Sequence, residues 1–206
     1  MVTKAKFKFI AGTLCLDFVN TVGGRLPSAG NRRSPGLIVR DKLSTFADLV
    51  EWSRAARILT AAESRNLLGH SDAADVFHRA IALREALYRI ARACVESRTP
   101  PPADLAILNR ELAAARAHER LRFLRGNFVS AWDQPRHPAR ILWIIVRSAA
   151  RFFESPSRAA IRECPGQECG WLFLDTSRNH SRRWCEMQIC GNRAKLRRFR
   201  GRPDPR

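Results

Sequence analysis

The stretch Cys164-Pro165-Gly166-Gln167-Glu168-Cys169 is followed, after 15 intervening residues, by Cys185-Glu186-Met187-Gln188-Ile189-Cys190-Gly191-Asn192-Arg193, and together these decide how the chain is read. Two thiol pairs with equal short spacers, separated by a loop, suit four sulfurs at tetrahedral corners ~2.3 Å from one zinc ion. The site calls for thiolates, because zinc is borderline-soft and strips thiol protons. Pro165, Gly166 and Gly170 permit the tight turn of a first knuckle, and Gly191 does the same after the last cysteine. Sulfur at all four positions, Cys164, Cys169, Cys185 and Cys190, leaves no open coordination site, so the expected zinc is structural. Core thiols, two disulfides or an iron–sulfur cluster are the other readings of these cysteines. His180 lies between the pairs as a competing ligand. Cys15 and Cys94 fall on apolar faces and read as core thiols.

Outward from the cysteines the charge climbs. The 206 residues carry 37 Lys+Arg against 19 Asp+Glu, a formal +18, and this surface attracts polyanions over about a Debye length. Asn192 to Arg200 has helical periodicity, with Leu196 and Phe199 on the side suited to packing against a zinc core. Arg193, Arg197 and Arg200 line one flank; Lys195, Arg198 and Arg202 line the other. With Arg182 and Arg183 these are the expected nucleic-acid contacts, since a guanidinium fork holds phosphate oxygens or a guanine edge bidentately. Trp184 either stacks on a base or covers a small core. A solvated tail or an anionic membrane surface would also account for the basic run.

The rest reads as mainly α: a helical domain over residues 1–155 with one short β-hairpin, and a small treble-clef or zinc-ribbon-like module over 156–206. Helices are expected from Ser44 to Ile58, after the capping box Thr60-Ala61-Ala62-Glu63, from Ser71 to Ser97, from Asp104 to His118 and from Pro138 to Glu154. A hairpin turns at Gly126-Asn127, between Leu121 and Trp132. Gly23 to Gly36, nearly devoid of apolar residues, reads as a surface loop. No apolar run approaches the ~18–20 residues of a membrane span, so no integral membrane association is expected. Lys4, Lys6 and Lys8 before an apolar stretch mimic a secretory leader, but Asp17 and Asn20 interrupt it. The chain reads as cytoplasmic, where thiols stay reduced.

Cys190-Gly191-Asn192-Arg193, with Arg182-Arg183-Trp184-Cys185 and Phe173-Leu174-Asp175-Thr176-Ser177-Arg178, resembles the CGNR zinc-finger family. Leu16-Asp17-Phe18-Val19-Asn20-Thr21 and Leu83-Arg84-Glu85-Ala86-Leu87 resemble the helical ABATE-type domain that usually precedes it. The resemblance implies a bacterial stress-induced transcription regulator in two parts, a helical domain that senses or dimerises and a zinc module that binds. Asp17, Asn20 and Thr21, polar at the end of an apolar segment, suggest a pocket for a small-molecule effector; such side chains also commonly cap the next turn. DNA is the favoured partner and RNA the alternative, with a homodimer suited to paired half-sites. A protein-docking scaffold is a further reading. No histidine is paired at metal or triad spacing with a nucleophile, and no phosphate-cradling glycine motif occurs, so an enzyme is not expected.

Overall fold

The computed structural model describes residues 6–26 and 37–200. Helix α1 (Leu14–Val19) is the first element, followed by a ribbon of β1 (Arg25–Leu26) and β2 (Leu37–Ile38). Four helices come next: α2 (Phe46–Ala55), α3 (Ala61–Leu67), α4 (Ala73–Val95) and α5 (Pro102–His118). The antiparallel hairpin of β3 (Glu119–Leu124) and β4 (Asn127–Trp132) leads into α6 (Arg140–Glu154). A 3-10 turn then enters the short hairpin of β5 (Ile161–Glu163) and β6 (Leu172–Leu174), and the described chain ends in α7 (Asn192–Arg200). The fold is mainly α, as expected. Among the described residues no helix is long and apolar enough to cross a membrane.

Local chemistry places most of these elements. Thr60 and Glu63 cap α3 reciprocally, each satisfying the other's amide. The start of α2 lies one residue beyond the expected cap: Thr45 and Asp48, not Ser44, form its capping box. Arg125 and Gly126, both with positive φ, make the two-residue β3–β4 turn, one residue earlier than expected. α4 is the central strut; its Val76, Ala80, Leu83, Leu87 and Ile90 are buried. It is zipped to α5 by two ion pairs, Arg89–Asp104 at 2.6 Å and Arg79–Glu111 at 2.7 Å, whose carboxylates are buried.

The apolar stretch around α1 is core: Cys15, Leu16, Phe18 and Val19 are buried between α4, α6 and β6. The same hydrophobic cluster continues into Ile161, Leu172 and Leu174, so the core does not stop at residue 155. Arg84, also in the long helix, is fully buried and grips Asp41 bidentately at 2.7 and 2.6 Å while bonding Glu85.

The loop expected over Gly23 to Gly36 is partly a built element. Residues 27–36 lie outside the described residues, but Gly24 and Arg25 are buried and Arg25 N–H donates to the Cys169 carbonyl at 3.1 Å. The Arg25 side chain holds Glu85 bidentately and lies 3.9 Å from the centre of the Tyr88 ring. Composition alone misreads this segment, because a buried arginine with its own carboxylate and ring is indistinguishable in sequence from a solvated one.

Candidate metal centre and basic surface

The β5–β6 hairpin carries Cys164 and Cys169 in its connection, and Cys185 and Cys190 flank the turn into α7, an arrangement of the treble-clef kind. All four residues are buried, and their Sγ atoms lie within 4.8 Å of one another. Cys169, Cys185 and Cys190 are mutually 3.6 Å apart. A tetrahedron with ~2.3 Å metal–sulfur bonds has edges of about 3.8 Å, whereas a disulfide requires ~2.0 Å. The donor set therefore fits one structural zinc and fits no disulfide. His180 is outside the cluster, exposed, its Nδ1 facing the Asp175 carbonyl at 3.3 Å.

Proton chemistry agrees. The neighbouring Cys169 and Cys185 thiols hold the Cys164 sulfur far below the usual thiol range. That thiolate in turn pushes Cys169 and Cys185 up. A bound dication would let all four ionise and would close the shell, leaving a net −2 on the cluster.

Close approach fixes the knuckle's surroundings. A Cβ on Gly166 would sit 3.1 Å from Cys169 Cβ and 3.2 Å from Cys190 Sγ. Gly24 is tighter still, because a Cβ there would fall 1.8 Å from the Glu168 carbonyl oxygen. The knuckle thus rests directly on the backbone of the N-terminal part. Trp171 adds a bond from its indole N–H to the Val22 carbonyl at 2.9 Å, and Tyr88 reaches Glu163 at 3.3 Å.

Asp17, Asn20 and Thr21 belong to this junction and bond within it. Asn20 donates from Nδ2 to the Leu172 carbonyl at 2.7 Å and accepts the Leu172 N–H at 3.1 Å, a two-bond splice onto β6. Thr21 donates to the Phe18 carbonyl, and Asp17 accepts the Ala11 N–H. All three are buried with these polar groups spent inside the fold. Of the two roles the sequence left open, an effector pocket and local capping, the bond from Thr21 back to Phe18 follows the second, while the reach of Asn20 to Leu172 follows neither.

Arg182 also departs from expectation. Its guanidinium donates to the carbonyls of Leu174, Ile10, Trp184 and Cys185 and lies over the Phe173 ring, so it clamps the module instead of facing a ligand. Trp184 packs against the zinc-site cluster with Arg183 over its ring. Helix α7 forms over the expected span, but Leu196 and Phe199 are 55% and 75% exposed and do not cover the zinc core. The core is already roofed by Trp171, Phe173, Trp184 and Ile189. Arg193, Lys195, Arg197, Arg198 and Arg200 are exposed and, among the described residues, make no hydrogen bond or ion pair; Arg183 is exposed as well. Arg202 lies outside the described residues.

Two further cations join this surface across some 150 residues of sequence. A cleft of about 660 Å³ runs between the knuckle, α7 and the segment before α2, with Arg40, Lys42, Arg193 and Arg197 on its walls. Its Asp41 is engaged by Arg84 and its Lys6 by Asp48 and Glu51, while Lys8 and Glu186 pair with each other. Burial, reinforced by Arg40 and Lys8, lowers the Lys42 pKa, and its ammonium lies 4.9 Å from the centre of the Trp171 ring. No sequence pattern ties Arg40 and Lys42 to the cysteines; only the docking of the 37–42 segment beside the knuckle does.

Residues 12–156 match the ABATE family model, described as "Putative stress-induced transcription regulator", and residues 160–203 match that of the CGNR zinc finger. No curated protein matches the chain.

Proposed function

From a chain that belongs to the ABATE family and carries a CGNR zinc finger behind it, we propose a zinc-dependent nucleic-acid-binding transcription regulator with duplex DNA as its preferred partner. One observation carries this reading: five α7 cations without intramolecular partners among the described residues project from a platform that a metal would make rigid. A short helix bare of acids suits a phosphate-lined groove. Arg40 and Lys42, beside Arg193 and Arg197 in the cleft, extend the positive track onto the helical part. The cleft, not Asp17, Asn20 and Thr21, is the place that suits an effector, and an anion there would compete for Arg193 and Arg197. We read the chain as a binder and not an enzyme, because a four-sulfur shell offers zinc no position for substrate. Reduced thiols and nucleic acid as partner both fit a cytoplasmic location.

The test is the salt dependence of duplex binding by the zinc-loaded chain. Contacts to ~4–6 phosphates give a log–log slope of about −4 to −5. Replacing Arg193, Arg197 and Arg198 together by Ala should flatten it by about 2–3. An unchanged slope would place the contact elsewhere. Tighter binding to single strands would favour RNA, against which stands Trp184, already packed on the module. Salt-insensitive capture of a protein would favour the scaffold reading.

A further inference from the structure

The β3–β4 hairpin leaves the helical body as an arm. Its root is fixed: Trp132 packs on Trp143 with ring centres 5.5 Å apart, and Glu119 pairs with Arg147 at 2.7 Å. Beyond the root, residues 120–130 are exposed on both strands. The register places Leu121 opposite Ser130 and Phe123 opposite Phe128, so Leu121, Phe123 and Phe128 share one face. These three are 72%, 62% and 72% exposed, and Leu124 and Val129 add to the uncovered area. Leu124 and Val129 lie on the opposite face, with Arg122, and the contiguous patch of Leu121, Phe123 and Phe128 marks an interaction site on a ribbon that is marginal by itself in water.

The two edges of this ribbon differ. β3 carries Arg120 and Arg122 on one face, so pairing β3 with a copy of itself would set like charges against each other. β4 has no charge from Asn127 to Trp132. Its hydrogen-bond phase is fixed by the bond from Asp133 N–H to the His118 carbonyl, one pair beyond Glu119–Trp132. Alternation from there turns the backbone N–H and C=O groups of Phe128, Ser130 and Trp132 away from β3, toward open solvent. A free, uncharged edge of this kind is a template for a strand, and an identical edge complements it.

We infer that this arm is the protein's self-association surface: β4 pairs antiparallel with β4 of a second copy about a two-fold axis at Val129. Phe128 and Ser130 of each copy then exchange backbone hydrogen bonds across the seam, and a four-stranded sheet results. Leu121, Phe123 and Phe128 of both copies line one face of that sheet. Pairing sets Phe128 of each copy beside Ser130 of the other, so the two apolar faces join side by side across the seam and the affinity comes from the shared backbone hydrogen bonds. The arginines on β3 guard the outer edges, so the assembly closes at two chains instead of growing. The antiparallel arrangement also sets the two helical bodies at opposite ends, clear of each other.

Sedimentation velocity of the zinc-loaded full chain, up to about 100 µM in high salt, tests this. The expected mass is twice the 23.4 kDa of one chain. Ser130→Pro removes an outward N–H together with the hydroxyl bond to Glu119, and Phe128→Glu puts charge into the apolar face; each should weaken association at least tenfold while zinc content and far-ultraviolet circular dichroism stay the same, whereas Ser130→Ala, which loses the hydroxyl alone, should keep the dimer. Phe199→Ser, on the other exposed apolar element, should leave the mass unchanged. A wild-type chain that stays monomeric throughout overturns the inference, as does a dimer that Ser130→Pro and Phe128→Glu leave intact or Phe199→Ser dissolves. None of these readings depends on nucleic acid, so failure here is distinguishable from failure of the proposed function.

Discussion

Asp17 sits in the junction between α1 and the zinc module, where burial pushes its pKa up to about 6 against the opposing amides of Ala11 and Ile10. A folded-state pKa above the unfolded one means that the protonated carboxyl is the comfortable form. Stability from this group is fully present below about pH 4 and is lost as pH rises through 6. Asp17→Asn should therefore be more stable than wild type by roughly 2 kcal/mol at pH 7.5, with the gap closing toward pH 4.5. Denaturant midpoints of both proteins at matched pH check this, and because the comparison is a difference, acid release of metal largely cancels. A gap that widened on acidification would contradict the assignment. Cys15, pushed up to about 11 by burial, is an inert core thiol by the same reasoning.

At the scale of elements, the splice between α1 and β6 is the most consequential contact. Asn20→Ala would strand a buried N–H and a buried carbonyl of Leu172, a cost of about 2–3 kcal/mol. Because β6 also closes the knuckle, loss of zinc to a competing chelator should accelerate about tenfold, readable with a colorimetric indicator. Cysteine spacing, the Thr60–Glu63 capping box and, to within one residue, the hairpin turn at Gly126 were legible because each is local chemistry. The exposed face of α7 was not: helical periodicity shows that Leu196 and Phe199 share a side, but not whether another element covers it. Likewise the pairing of Arg25 with Glu85, or of Asn20 with Leu172, spans 60 and 152 positions that no local pattern connects. Arg182 looked like its basic neighbours and differs only because four carbonyls converge on it.

Across the whole molecule, the helical part and the zinc module melt into one core through Ile161, Leu172 and Leu174, reinforced by Trp171, Tyr88 and Asn20. Structural zinc contributes on the order of 10 kcal/mol to such modules. Removing it with a chelator should thus lower the thermal midpoint of the entire chain by more than ~10 °C in a single transition at 222 nm. A first transition confined to the C-terminal fifth, leaving the helices unmoved, would show the two parts to be uncoupled. The position of Gly24 beneath Glu168 extends the coupling to the chain's first elements, since the knuckle and that glycine fit only when both are in place.

The shared core has a consequence for how long the protein survives in a cell. If the chain melts as one unit, a copy made while metal is scarce would expose not a frayed tail but its whole length to quality-control proteases, and abundance would track zinc supply without any dedicated sensor.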